Sequence, residues 1–153
     1  MKVLGIDCST KAIALVLLKD GEVADVKMIV ANKGYNELQR LIYFASETNE
    51  YVNSVQPDAV AIEQAVYWKN YESTRKIIEV ITAVKLALVN YHPETVNNRV
   101  WKKATVGYGN APKTKILAYA QSKSIQITNQ DLADSYCIAE YLYKKYSKKE
   151  EKQ

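Results

Sequence analysis

Residues 2–31, KVLGIDCSTKAIALVLLKDGEVADVKMIVA, decide the fold. Lys2 to Asp7 is apolar enough for a buried strand, and Ala12 to Leu18 forms a second. Ser9-Thr10-Lys11 turns the chain between them, and Asp20-Gly21 is a hairpin signal. Val23 to Ala31 reads as a third strand, alternating through Val26, Met28 and Val30. Three strands joined by short turns predict an antiparallel meander, and the first of them ends on a carboxylate, Asp7.

Beyond Gly34 the apolar period changes from two to that of a helix. Leu38, Leu41, Ile42, Ala45, Val52 and Val55 predict one helical stripe, which Pro57 ends. Asp58 to Glu63 is a short apolar strand, again closing on a carboxylate. A strand entered through a crossover helix lies parallel to its sheet neighbour. A long helix is predicted from about Glu72 to Asn90, with Asn70 or Ser73 as its cap. Ile77, Val80, Ile81, Val84 and Leu88 make its main stripe, which Ile78, Thr82 and Val89 widen. So wide an apolar surface suits either a deeply buried helix or a second packing surface such as a dimer interface. A short strand at Glu94 to Val96, a helical turn or two at Val100 to Thr105, a loop at Gly107-Tyr108-Gly109-Asn110, and a helix with Pro112 in its first turn follow. The last helix is expected over Gln130 to Tyr146. The order βββαβα with further helices predicts an α/β fold: a mixed five-stranded sheet flanked by helices in one domain, residues 1–146, with a frayed charged tail at 147–153.

The chain has 153 residues, enough for a core without disulfides or structural metals. A net charge of +4 does not by itself announce a nucleic-acid ligand, but the lysines are clustered. Lys102, Lys103, Lys113 and Lys115 fall close together, and Lys144, Lys145, Lys148, Lys149 and Lys152 crowd the C-terminus. Cys8 and Cys137 show no metal or redox spacing and are expected to be small buried thiols in a reducing compartment. With no signal peptide and no apolar run near the ~18 residues of a membrane span, the expected location is the cytoplasm, without membrane contact. His92, the single histidine, falls in a loop before Pro93.

The chemistry is carried by four acidic residues. Asp7 and Glu63 end apolar strands, where an unpaired carboxylate is costly to bury. Asp131 and Asp134 lie three apart on one helix face. Taken singly, each has an ordinary role as a turn residue, ion-pair partner or solvated face. Together they would give an oxygen-rich site for hard divalent cations, Mg²⁺ above all. Two such ions, about 4 Å apart, can activate water and stabilise the leaving oxygen in phosphodiester hydrolysis.

Four blocks resemble the RuvC family of Holliday-junction resolvases, in the right order and across nearly the whole chain. They are Gly5-Ile6-Asp7-Cys8-Ser9-Thr10, Ala61-Ile62-Glu63-Gln64 with Lys69-Asn70, Val106 to Lys113, and Asp131-Leu132-Ala133-Asp134-Ser135. The resemblance implies an RNase H-like fold and a homodimer that binds four-way junctions, with other branched DNA as further candidate substrates, and makes paired nicks. It assigns Asp7, Glu63, Asp131 and Asp134 to two Mg²⁺ ions per site, with Mn²⁺ as a substitute, and gives Lys102 and Lys113 basic roles near the scissile phosphate. Tyr67, Trp68, Lys69, Lys103 and Lys115 join those two lysines as candidate DNA contacts. Bacterial members usually carry an aromatic residue three places after the strand-end glutamate, where this chain has Val66; Tyr67 and Trp68 are expected to replace it by stacking on bases. The short chain is compatible with a phage-type relative acting in host cytoplasm, and a branch-migration motor as partner is left open. Three other readings share parts of the pattern. One is another RNase H-like nuclease, of RNase H or rRNA-processing type. A second is a binding module that holds branched DNA without cutting it. The third is an ATP-binding fold of the sugar-kinase and actin type, whose phosphate loop wants glycine where Cys8 and Ser9 stand.

Overall fold

Strand β1 (Lys2–Cys8) pairs antiparallel with β2 (Ala12–Lys19), which pairs antiparallel with β3 (Glu22–Val30). The β2–β3 turn is made by Asp20 and Gly21, both at positive φ (53° and 88°), which matches the strand twist and favours this residue pair. The computed structural model describes residues 1–67 and 69–150. After helix α1 (Glu37–Val55), β4 (Ala59–Glu63) returns parallel to β1 on its free edge, and β5 (Glu94–Val96) adds parallel to β4. The result is the expected mixed five-stranded sheet, in the order β3-β2-β1-β4-β5.

The two faces of this sheet are built differently. Alternation sends Leu4, Ile6, Ile13, Leu15, Val60 and Ile62 to one face, under α1 and α2 (Tyr71–Ala87). Val3, Ala14, Val16, Ala59 and Ala61 point to the other, where α5 (Gln130–Glu150) lies, with α3 (Asn98–Val106) and α4 (Lys113–Lys123) packed beside it. Gly5 belongs to this second face. A Cβ there would stand 2.1 Å from the Ser135 carbonyl oxygen and 2.5 Å from the Ala139 nitrogen, so only glycine lets α5 come this close. Ser135 Oγ, fully buried, bridges the Gly5 and Ala14 carbonyls at 2.7 and 3.2 Å.

Several boundaries differ from the sequence reading. In α1 the buried row is Phe44, Thr48, Tyr51 and Val52, while Leu38 and Ile42 are exposed. The two aromatic side chains have the largest area to bury and set the rotation of the helix. Helix α2 stops at Ala87, and a 3₁₀ turn covers Val89–Tyr91. Val30 is exposed, and the inward residue at the end of β3 is Ile29. Pro112 is the N-cap of α4 rather than a residue of its first turn. Helix α5 runs on to Glu150, so the helix continues through part of the tail expected to fray.

Candidate active site

Strand register brings the first two carboxylates together. Gly5 lies opposite Ala61 and Ile6 opposite Ile62, so the next residues, Asp7 and Glu63, finish neighbouring parallel strands on the α5 face. Asn129 begins α5 just beyond, its side chain accepting from the Leu132 N–H. This places Asp131 and Asp134 in the first turns of the helix that crosses those strand ends. All four carboxylates line one cleft of about 630 Å³.

The cleft holds negative charge that the protein does not pair. None of the four forms an ion pair among the described residues. Burial, then the neighbouring Glu63, Asp134 and Asp131 charges, push the Asp7 carboxyl well above the usual range. Burial, then Asp134, raise Glu63 to about 7, against the opposing pull of Lys102. Asp134 is also raised by burial, although Gln130 donates to it at 2.8 Å and Lys102 and Lys113 oppose the shift. Such a donor set suits a divalent cation, which would hold these groups as anions and supply the missing countercharge. Among the described residues no three such side chains draw together tightly enough to enclose an ion. An ion here would complete its shell with water or substrate oxygens, as Mg²⁺ ordinarily does.

The remaining sequence candidates divide. Lys102 and Lys113 line the cleft, from α3 and the start of α4, and Tyr67 stands 75% exposed at its rim beside Val66. Lys69, Lys103 and Lys115 are exposed and do not line it. Lys115 instead places its ammonium 5.2 Å above the Tyr108 ring. Trp68 lies outside the described residues. Cys137 is buried, but Cys8 is only partly covered, since β1 delivers it to the cleft wall next to Asp7. Sequence reasoning missed Ser73 and Lys76, which line the cleft from α2, and Trp101, buried beneath it. Ser73, Lys76 and Ile77 follow helical spacing along one face, but the sequence alone does not say what that face meets.

Residues 3–140 match the family model for the crossover junction endodeoxyribonuclease RuvC. The chain belongs to the RuvC family. The RuvC of Caldicellulosiruptor saccharolyticus is 29% identical, over 91% of this chain and 90% of that protein. The Thermus thermophilus RuvC structure superposes with a TM-score of 0.80, covering 97% of each chain at 18% identity. The same RuvC in complex with a Holliday junction substrate gives 0.78 at 19% identity, covering 92% of each chain. The yeast mitochondrial Holliday junction resolvase superposes at 0.61 with 12% identity, over 97% of this chain and 82% of that one. The fold is RNase H-like, and membership of a nuclease family favours cleavage over the ATP-binding reading.

Proposed function

We propose that this RuvC-family nuclease resolves four-way DNA junctions as a homodimer, using Mg²⁺ held by Asp7, Glu63, Asp131 and Asp134. The observation that carries the reading is the cleft itself: four convergent carboxylates that form no ion pair among the described residues, beside Lys102 and Lys113. Bound Mg²⁺ would supply Lewis acidity and a hydroxide-like water at neutral pH, with Mn²⁺ a workable replacement.

The chain's own groups then have distinct tasks. Asp7 and Glu63, on strand ends, give the rigid part of the site, and both must lose their protons to bind an ion. Asp131 and Asp134 come from the first turns of α5 and close the cleft from the other side. Lys102 and Lys113 offset phosphate charge as the DNA strand enters, which makes binding salt-sensitive. Tyr67 offers an exposed ring at the rim for an unstacked base.

Two symmetric nicks need two sites in fixed relation. The homodimer reading rests on α2 and the turn after it, where Ile78 and Leu86 of the helix and Val89 of the turn are 47%, 70% and 60% exposed while the helix's other face is core. No helix among the described residues is long and apolar enough to cross a membrane, and we assign the protein to the cytoplasm. The decisive experiment compares nicking of four-way, three-way and linear duplex DNA, with Mg²⁺ and with EDTA. Paired, Mg²⁺-dependent nicks in the four-way junction are expected. Equal cutting of linear duplex would point to a different nuclease of the same fold, and metal-independent cutting would sink the carboxylate assignment.

A further inference from the structure

Lys76 is a cation of the cleft to which the nuclease reading gives no task. It lines the same cleft as the four carboxylates, but from α2, on the sheet face opposite α3 and α4, which carry Lys102 and Lys113. The acidic strand ends therefore have cations on both flanks. DNA carries a charge at every phosphate, so the neighbours of a phosphate drawn to this centre are repelled by its acids unless further cations stand close. Lys102 and Lys113 meet that need on one flank, and Lys76 is the lysine lining the other.

Within the chain Lys76 has a competing partner. Its Nζ lies 3.5 Å from Oε1 of Glu37, in the first turn of α1, and this is the one ion pair it forms among the described residues. Glu37 is fixed near the cleft mouth, because Arg40, one turn further along the same helix face, donates to the Thr10 carbonyl at 2.9 Å. Thr10 borders both the cleft and a groove between α1 and α2 that Glu37, Arg40 and Lys76 also line. Glu37 meets Arg75 at 3.5 Å as well, but Arg75 is held more closely by Glu72 at 2.9 Å and Glu79 at 2.6 Å. Loss of Glu37 thus releases Lys76 and leaves Arg75 engaged. The side chains of Lys76 and Glu37 are 45% and 50% exposed. A long ion pair in that setting contributes little, so a phosphate can displace the carboxylate.

We propose that Lys76 exchanges Glu37 for a DNA phosphate on the α2 side of the cleft, so that Glu37 is an internal competitor that weakens junction binding. The proposal rests on the reading of this cleft as a DNA-cleaving site. It adds a substrate contact on the α2 flank and an acidic residue whose removal tightens binding.

The test follows binding of a fluorescently labelled four-way junction by anisotropy, with the full chain in EDTA to prevent cutting, over a series of NaCl concentrations. Lys76→Gln should weaken binding severalfold and reduce the slope of log affinity against log salt by about one for each bound subunit. Glu37→Gln should tighten binding roughly two- to fivefold, the range of an exposed ion pair. In a Lys76→Gln background the same change should have no effect, since no ammonium is left to release. Glu50→Gln, an equal charge change at another exposed position of α1, should leave affinity near wild type. Unchanged affinity and slope in Lys76→Gln overturn the contact. A Glu37→Gln variant without a gain overturns the exchange, and so does a gain that persists without Lys76 or is matched by Glu50→Gln. Should Lys76→Gln fail to fold, the contrast between Glu37→Gln and Glu50→Gln decides. A wild-type chain that binds no junction overturns the cleft reading and this proposal together.

Discussion

Helices α2 and α5 cover opposite faces of one sheet and complete their apolar surfaces differently. Along α5, Leu132, Ala133, Tyr136, Cys137, Ile138, Ala139 and Leu142 are all buried. Along α2, Val80, Ile81 and Val84 are buried, while Ile78 and Leu86 remain open to solvent, as does Val89 in the turn that follows. Apolar content does not explain this. The sheet under α5 presents Gly5, Ala14 and Ala61, so the helix settles onto the backbone and is walled in by α3 and α4. The sheet under α2 presents Leu4, Ile6, Leu15 and Ile62, which hold α1 and α2 further out and side by side. Close seating gives α5 the rigidity to carry two of the four carboxylates. The looser layer leaves Ile78 and Leu86 of α2 uncovered.

The largest expected effect tests α5 as part of the catalytic frame. Asp134→Asn or Asp131→Asn, from the helix, should cost as much cleavage as Asp7→Asn or Glu63→Gln, from the strands. Loss of several kcal/mol of metal-dependent stabilisation corresponds to a rate decrease on the order of 10³-fold. Circular dichroism and junction binding should remain near wild type. A helix variant that retains most activity, beside inactive strand variants, would remove α5 from the site.

Next comes the seating of α5. Gly5→Ala would drive a methyl group into the Ser135 and Ala139 backbone, which cannot give as a flexible side chain would. Overpacking of this kind costs about 3 kcal/mol or more, read as a lowered urea midpoint. Near-wild-type stability would mean that α5 is free to shift, against the rigidity argued for it.

A comparable but pH-dependent effect follows from the carboxylates. Burial raises Glu63 from its ordinary 4.5 to about 7, and raises Asp7 too, so the ion-free fold favours their protonated forms. That stabilisation is present in full below the unfolded pKa values and is lost as pH rises through the folded ones. From Glu63, the ion-free protein should lose at most about 3 kcal/mol between roughly pH 4.5 and 7. Mg²⁺ should restore it at the upper end, because the ion favours the anions. Melting curves in EDTA and in Mg²⁺ check this, and Glu63→Gln should flatten the EDTA profile. A wild-type EDTA profile already flat would mean that these groups titrate normally.

The smallest effect on the fold is expected on the open face of α2. Ile78→Glu should change monomer stability by no more than ~0.5 kcal/mol, as for an ordinary surface position, yet abolish self-association in sedimentation velocity. A variant that still dimerises would leave the exposed row without that role. A variant that unfolds would place Ile78 in the core and erase the contrast with α5.

Most of this architecture was legible along the chain because it follows from local rules. Alternation marked β1 to β3, Asp20-Gly21 their turn, and the apolar run ending at Glu63 the parallel strand. Four carboxylates stood out because each closes or opens a regular element. Less was legible in α1, where two overlapping stripes competed and Phe44 and Tyr51 prevailed over Leu38 and Ile42. Ser73 and Lys76 carried a helical spacing that points nowhere until a cleft lies opposite.

The sequence by itself determined the order of elements, the sheet composition and the identity of the four acids, since periodicity and turn chemistry act over a few residues. Only the tertiary structure decided that Asp7 and Glu63 end neighbouring strands, with Asp131 and Asp134 joining them across the α5 interface. It alone buried the Trp101 ring against the wall of that cleft. Register, burial and electrostatic coupling are properties of segments far apart in the chain, and they come into being only where packing brings those segments within a few ångströms.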